Sequence, residues 1–194
     1  MVSVSAFILM GGRSKRFGAT KWRAKINGEP IINTIIKACQ ICDEIFLTGK
    51  NQPDDLTHIP FLKDKLDIQA PINGLFTALQ STNTDWILLI SSDLPLITDN
   101  ILLELLKYIN NSKNIIIPKI NGKLQPTCAL YNKRLKNKCM KQIKNHRLSL
   151  TKFVINNNFD AVDFSLQSEA FININTKNDL RAAEIILSSK MSSK

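Results

Sequence analysis

The chain has 194 residues, 44% of them hydrophobic and 22% charged, with 7 Gly and 7 Pro. That composition supports one buried core and excludes disordered, collagen-like and mini-protein scaffolds. The formal net charge of +10, from 26 Lys and Arg against 16 Asp and Glu, implies an anionic partner or a solubilising surface, and placement decides between them.

Val2 to Met10 reads as a buried first strand. No basic segment precedes it, and Gly11-Gly12-Arg13-Ser14-Lys15-Arg16 follows in place of a small-residue cleavage site, so a signal peptide is not expected. No acid occurs between Met1 and Gly28, while Arg13, Lys15, Arg16, Lys21, Arg23 and Lys25 crowd into thirteen positions. That density suits phosphates. After Gly28-Glu29-Pro30, a stripe of Ile31, Ile32, Ile35, Ile36, Ala38 and Cys39 marks a helix opened by proline. Glu44 to Thr48 and Ile59 to Leu62 read as short strands and Asn73 to Gln80 as a helix. The wholly apolar Trp86 to Ile90 reads as a strand covered on both faces.

Thr98-Asp99-Asn100 supplies caps for a helix that buries Ile101, Leu102, Leu105, Leu106 and Ile109. Strands are expected at Ile115 to Ile117 and at Leu124 to Tyr131, the latter interrupted by Pro126. Helical stretches follow near Leu135 to Ile143 and Leu148 to Ile155, then strands at Ala161 to Phe164 and Phe171 to Ile174. A last helix from Lys177 carries Leu180, Ala183, Ile186 and Leu187 on one stripe, and Ser188 to Lys194 is expected to fray. The apolar runs fall far short of the roughly 18 residues of a membrane-spanning helix. With no repeat or linker, residues 1–194 read as one domain. Alternating strands and helices imply a three-layer α/β domain with a mostly parallel sheet, whose ligands bind at the carboxyl ends of strands.

Four cysteines form no disulfide framework, which implies a reducing cytoplasm. Cys39 and Cys42, at helical spacing, have no second close Cys or His pair to complete a zinc site, so buried thiols are the expectation. His58 and His146 are isolated.

The candidate chemistry falls just after strands. Met10-Gly11-Gly12-Arg13-Ser14-Lys15-Arg16-Phe17-Gly18 is a glycine-initiated cationic loop with Lys21 beyond it. Its glycines let backbone N–H groups approach a phosphate or base, and Arg16 and Lys21 can neutralise the oxygens. It matches neither the kinase-type P-loop nor the dinucleotide fingerprint, and a solvated basic turn is the alternative. Asp93, in Ser91-Ser92-Asp93-Leu94-Pro95, places a hard oxygen ligand suited to Mg²⁺ where a buried strand emerges, unless it only closes an Asx turn. If Phe171 to Thr176 is extended, Asn173 and Asn175 share a face and can orient phosphate or a metal-bound water; capping of the last helix by Asn175 or Thr176 is compatible with that.

Taken in order, Gly11-Gly12-Arg13-Ser14-x-Arg16-Phe17-Gly18-x-x-Lys21, Gly28-x-Pro30, Pro71-Ile72-x-Gly74, Ser92-Asp93-Leu94-Pro95, Gln125-Pro126-Thr127-x-Ala129-Leu130, Ala161-Val162-Asp163-Phe164 and Phe171-Ile172-Asn173-Ile174-Asn175-Thr176 resemble the molybdenum cofactor guanylyltransferases of the MobA type. The resemblance runs from about Ser5 to Leu187. It implies a nucleotide-diphospho-sugar-transferase-like, Rossmann-like α/β fold that joins GMP from Mg-GTP to the phosphate of molybdenum-bound molybdopterin and releases pyrophosphate. It also implies transient contact with other molybdenum-cofactor proteins and apo-molybdoenzymes.

By position, the resemblance assigns Met10, Gly11, Gly12 and Lys21 to the nucleotide, Arg16 to the triphosphate and Asp64 to the guanosine part. Asp93 binds Mg²⁺ and nucleotide, Asn173 and Asn175 assist at the reaction centre, and Gln125, Thr127 and Arg147 line the pterin side. Met10 stands where the family usually has Ala, Thr20 replaces the common Asp before the lysine, and Trp22-Arg23-Ala24 replaces a more apolar stretch. Gln125 holds a position often basic. The family's Asn after the second strand aligns only loosely with Lys50 or Asn51.

Gly12, where cytidylyl-transferring relatives carry Ala, leaves room for a purine edge and favours GTP over CTP. The remaining readings are cytidylyl or other nucleotidyl transfer to molybdopterin or to a sugar or lipid phosphate, and nucleic-acid binding by the basic stretch. Two Trp and two Tyr offer few stacking platforms, and no RNA-binding motif accompanies them.

Overall fold

The computed structural model describes residues 2–11, 21–110 and 112–192. Its centre is β1 (Val4–Leu9), buried at every position, with β4 (Glu44–Gly49) and β6 (Trp86–Ser91) paired parallel on its two sides. A strand covered on both faces can be apolar throughout, and the runs from Val4 and from Trp86 are. β5 (Phe61–Lys63) joins β4 in parallel. Beyond β6 come β9 (Cys128–Asn132), β7 (Ile115–Ile120) and β10 (Phe159–Asp163), giving the order β10-β7-β9-β6-β1-β4-β5. Among the described strands of this sheet, only β9 and the short β8 (Lys123–Leu124) run antiparallel to their neighbours. A separate ribbon of β2 (Lys25–Ile26) and β3 (Glu29–Pro30) turns through Asn27 and Gly28, both at positive φ.

The two-residue alternation of β1 divides the core. Val4, Ala6 and Ile8 face a layer that holds α1 (Ile31–Ala38), α3 (Asp99–Leu106) and Ala183 of α6 (Lys177–Ser192). Phe7 and Leu9 face the layer of α2 (Pro71–Ser81), α4 (Lys136–Lys144) and α5 (Leu150–Ile155). The three-layer α/β architecture is therefore as expected. All four cysteines are free, and burial pushes the Cys42, Cys128 and Cys139 thiols up to about 12. Inert core thiols fit this better than reactive ones. Among the described residues no helix is long and apolar enough to cross a membrane.

Three expectations change. The stretch Leu124 to Tyr131 is two strands, because Pro126 cannot donate to a ladder and the chain turns there. The strand expected from Ile59 begins at Phe61, after Pro60. Phe171 to Ile174 is not a strand. Ser165–Phe171 winds as 3-10 turns, and Phe171 and Ile174, three apart, are both buried. The Ile174 N–H bonds the Asp93 carbonyl at 2.9 Å instead of a sheet edge, so the shared-face argument for Asn173 and Asn175 lapses.

Gly74, in the first turn of α2, packs against the end of β1, and a Cβ there would strike the Leu9 side chain. Gly74→Ala is expected to lower stability by about 1–3 kcal/mol, the usual range for overpacking. A urea unfolding midpoint equal to that of the parent would refute the close fit.

Candidate active site

Where β1, β4 and β6 end together, their loops splay around a cleft of about 600 Å³. Two backbone bonds level its floor: Met10 N–H to the Thr48 carbonyl at 2.8 Å, and Ser92 N–H to the Leu9 carbonyl at 3.3 Å. Gly11 follows at the rim, and the position a Cβ would take there meets no atom of the described residues within 4 Å. Gly12 and Arg16 lie outside the described residues.

One wall of the cleft comes from β4 and β5. Asp64 leaves β5 with its N–H on the Gly49 carbonyl at 2.8 Å, which brings its carboxylate into the cleft. Asn73 of α2 pins the intervening loop by donating to the Leu66 and Ile68 carbonyls at 2.7 and 3.0 Å. Burial raises the Asp64 carboxyl above the ordinary carboxylate range, against weaker opposing effects of the Thr48 hydroxyl and the Lys50 charge. Thr48 Oγ1 favours that charge from nearby but forms no hydrogen bond: it is buried at the cleft wall without a partner. An unpaired buried hydroxyl costs free energy unless a ligand completes it. Thr48 was not anticipated from the sequence, which pointed to Lys50 or Asn51; both line the cleft, and Lys50 Nζ is paired with Asp67 at 2.8 Å. No local signal marked it, because a polar residue near the end of a largely apolar strand looks the same whether or not it serves a site.

Beside the cleft, next to the lining residues Ser91 and Trp22 but outside the lining itself, a second group is assembled from distant segments. Ser91, the last residue of β6, donates its hydroxyl to Asp93 Oδ1 at 2.6 Å. Asp93 Oδ2 lies 4.0 Å from Lys21 Nζ, the two side chains being 21% and 19% exposed. Lys21 Nζ also donates to Asn175 Oδ1 at 2.7 Å. Asn175 is held in turn by the start of α6. Its N–H and that of Thr176 both reach Asp179 Oδ2, at 2.8 and 2.7 Å, while Thr176 Oγ1 accepts from Asp179 N–H at 3.2 Å. This reciprocal cap shows that Thr176 does the capping and leaves the Asn175 side chain to Lys21. Asn173, half-buried, lies beside the Ile174–Asp93 tie.

Thr127 lines the cleft, and its carbonyl accepts from Ser91 N–H at 2.7 Å. Gln125 belongs to the same loop and is half-buried. Arg147 is not brought in: it follows α4, exposed, and is absent from the cleft lining. At the other end of the cleft, Trp22 and Arg23 form the wall; Arg23 lies 4.7 Å from the centre of a Trp22 ring and pairs with Asp55 at 2.9 Å. His58 opens into a separate groove on the far side of Trp22, and His146 follows α4 at positive φ.

A glycine turn, a half-buried carboxylate and a buried hydroxyl in the cleft, with a lysine, an aspartate and an asparagine gathered beside it, suit an α/β enzyme that transfers nucleotidyl groups between phosphates. The model of the MobA-like NTP transferase domain matches residues 6–158. A Clostridium perfringens protein named probable molybdenum cofactor guanylyltransferase is 34% identical over 78% of this chain and 77% of its own. The molybdenum cofactor guanylyltransferase of Histophilus somni is 28% identical over 92% and 94%. Among solved structures, molybdopterin-guanine dinucleotide biosynthesis protein A of Archaeoglobus fulgidus superposes with a TM-score of 0.82 at 20% identity, covering 95% of this chain and 99% of that one. The chain belongs to the MobA-like NTP transferase domain family.

Because the folded-state pKa of Asp64 is raised, its contribution to stability is fully present below the ordinary carboxylate range and is lost as pH rises through the raised value. Asp64→Asn is therefore expected to melt at a higher temperature than the parent at neutral pH, with the gap closing in acid. Equal melting curves across that pH range would count against a desolvated carboxylate.

Proposed function

We propose that this chain is a molybdenum cofactor guanylyltransferase, which transfers GMP from GTP to the phosphate of molybdenum-bound molybdopterin and releases pyrophosphate. The observation that carries the reading is the convergence of Lys21, Asp93 and Asn175 at the margin of a cleft whose far wall holds Gly11, Thr48 and Asp64. Relatives that bear this activity in their names match along most of their length.

Both reactants are anions, so positioning and charge dominate the barrier. In this reading the nucleotide lies against the open backbone at Gly11. The Thr48 hydroxyl then gains a partner, and Asp64 accepts hydrogen bonds from base or ribose groups. Lys21 exchanges its contact with Asp93 for the triphosphate. Two unit charges 4 Å apart interact by about 4 kcal/mol at an effective dielectric near 20, which is the scale of each such contact. Gly12 and Arg16 would add backbone and charge to the same group.

The donor set fits Mg²⁺ in one way. Among the described residues no three His, Cys, Asp or Glu side chains gather to hold a metal, but Mg²⁺ commonly takes one or two carboxylates and fills its shell from substrate phosphates and water. Asp93 would provide that carboxylate, its orientation set by Ser91, and the ion when bound would supply positive charge to the phosphates. The acceptor enters on the side of Thr127 and Gln125; Arg147 would meet only the part of a bulky acceptor that extends past the cleft. A phosphate nucleophile is already deprotonated near neutral pH, so the reaction makes no demand on His58 or His146, both outside the cleft lining.

Asp93→Ala should lower turnover roughly 10²- to 10³-fold with the fold intact, the loss expected for one transition-state electrostatic group. Pyrophosphate release by the purified variant at the parental rate would remove Asp93 from the mechanism. With magnesium, GTP should raise the melting temperature more than CTP, ATP or UTP, since a ligand bound only to the native state stabilises it. Stronger protection by CTP would replace the guanylyl assignment with a cytidylyl one.

A further inference from the structure

The loop Gln125–Pro126–Thr127 joins β8 to β9 and carries two of the three residues assigned to the acceptor side. Three backbone bonds shape it: Gln125 N–H to the Pro118 carbonyl at 2.9 Å, Cys128 N–H to the Gln125 carbonyl at 3.0 Å, and Ser91 N–H to the Thr127 carbonyl at 2.7 Å. Pro126 has no N–H, so only its carbonyl can be held. Its holder is a side chain, Tyr131, whose hydroxyl donates to the Pro126 carbonyl at 2.6 Å.

Tyr131 lies in β9 opposite Ile87 of β6 and Ile115 of β7, and is fully buried. It packs in the layer of Phe7, Leu75 and Phe153. A phenylalanine would fill the same apolar space without a hydroxyl to desolvate, and a buried tyrosine hydroxyl is tolerable only with a partner. Here the partner is the turn that opens the strand carrying the tyrosine. The rigid ring, fixed by core packing, thus transmits the position of the sheet to a loop at the cleft margin.

We propose that Tyr131 is a positioning residue for the acceptor: it touches no substrate, but holds Pro126 so that Gln125 and Thr127 present a fixed surface to the phosphate that attacks the nucleotide. The proposal rests on the acceptor-side assignment of that loop. Nucleotide binding is on other elements, so its affinity should be insensitive to Tyr131.

The test is Tyr131→Phe, which keeps the ring and removes the tie. Transfer kinetics are measured with molybdenum-bound molybdopterin and GTP varied separately, and backbone hydrogen exchange is followed by mass spectrometry in peptides spanning residues 124–130. Heat protection by GTP, unchanged from the parent, verifies that the variant is folded. The expected result is faster exchange confined to that segment and a KM for the acceptor raised about three- to tenfold, the scale of one lost neutral hydrogen bond. The KM for GTP, and kcat at saturating acceptor, should stay within about twofold on the same argument.

Unchanged exchange overturns the proposal, since the tie would then not hold the loop. A parallel rise in both KM values, with diminished GTP protection, overturns it in favour of a general structural role. Faster exchange with an unchanged acceptor KM overturns it together with the placement of the acceptor at this loop, while leaving GTP binding and guanylyl transfer standing. A parent enzyme that binds GTP but transfers to no pterin acceptor fails the functional reading itself, and exchange alone then decides whether Tyr131 holds the loop.

Discussion

The site depends on one constraint: β1 is buried on both faces and ends level with β4 and β6. Parallel strands that stop together must release their chain on the same side of the sheet. Here Met10 bonds Thr48 and Ser92 bonds Leu9 at that boundary, so the glycine turn, the Thr48 hydroxyl and the approach to Asp93 are fixed by the same few backbone bonds. Gly74 tightens this end by packing α2 against Leu9 without a side chain of its own. A displacement of β1 by one residue would exchange its two faces and misplace both walls.

On that frame the electrostatics are arranged by long-range contacts. Lys21 and Asn175 are separated by 154 positions yet lie 2.7 Å apart. The Ile174–Asp93 backbone bond and the reciprocal cap between Thr176 and Asp179 hold Asn175 where it can orient the lysine. Asp93 is oriented from the other side by Ser91, whose N–H also reaches the Thr127 carbonyl. Ser91 thereby connects the carboxylate to the Gln125–Thr127 loop, whose Pro126 carbonyl accepts from the buried Tyr131 hydroxyl. Groups ordered before a ligand arrives need less reorganisation during the reaction, which is how fixed dipoles and charges lower a barrier between two anions.

The unpaired atoms are informative in the same way. Thr48 Oγ1 is buried at the cleft wall with no partner, and Asp64 carries a carboxyl raised by its surroundings. Neither arrangement stabilises the fold: a buried hydroxyl without a partner and a desolvated carboxyl each cost free energy.

What was legible in the sequence is what local pattern encodes. The apolar runs at Val4 and Trp86 and the helical stripe from Ile31 determined a three-layer α/β sheet, because periods of two and 3.6 residues record which faces must be buried. Gly11 after one strand and Asp93 after another marked the ligand edge. The pattern misled at Phe171 to Ile174, where alternating Asn and Ile imitate a strand but the chain wraps onto the Asp93 loop. It gave no indication of Thr48, Ser91 or Tyr131, since a polar residue within an apolar strand looks the same whether or not it serves the site. Only the tertiary structure decided that Lys21, Asp93 and Asn175 meet and that Arg147 stays outside the cleft, because such contacts join segments whose spacing along the chain carries no periodic trace of their distance in space.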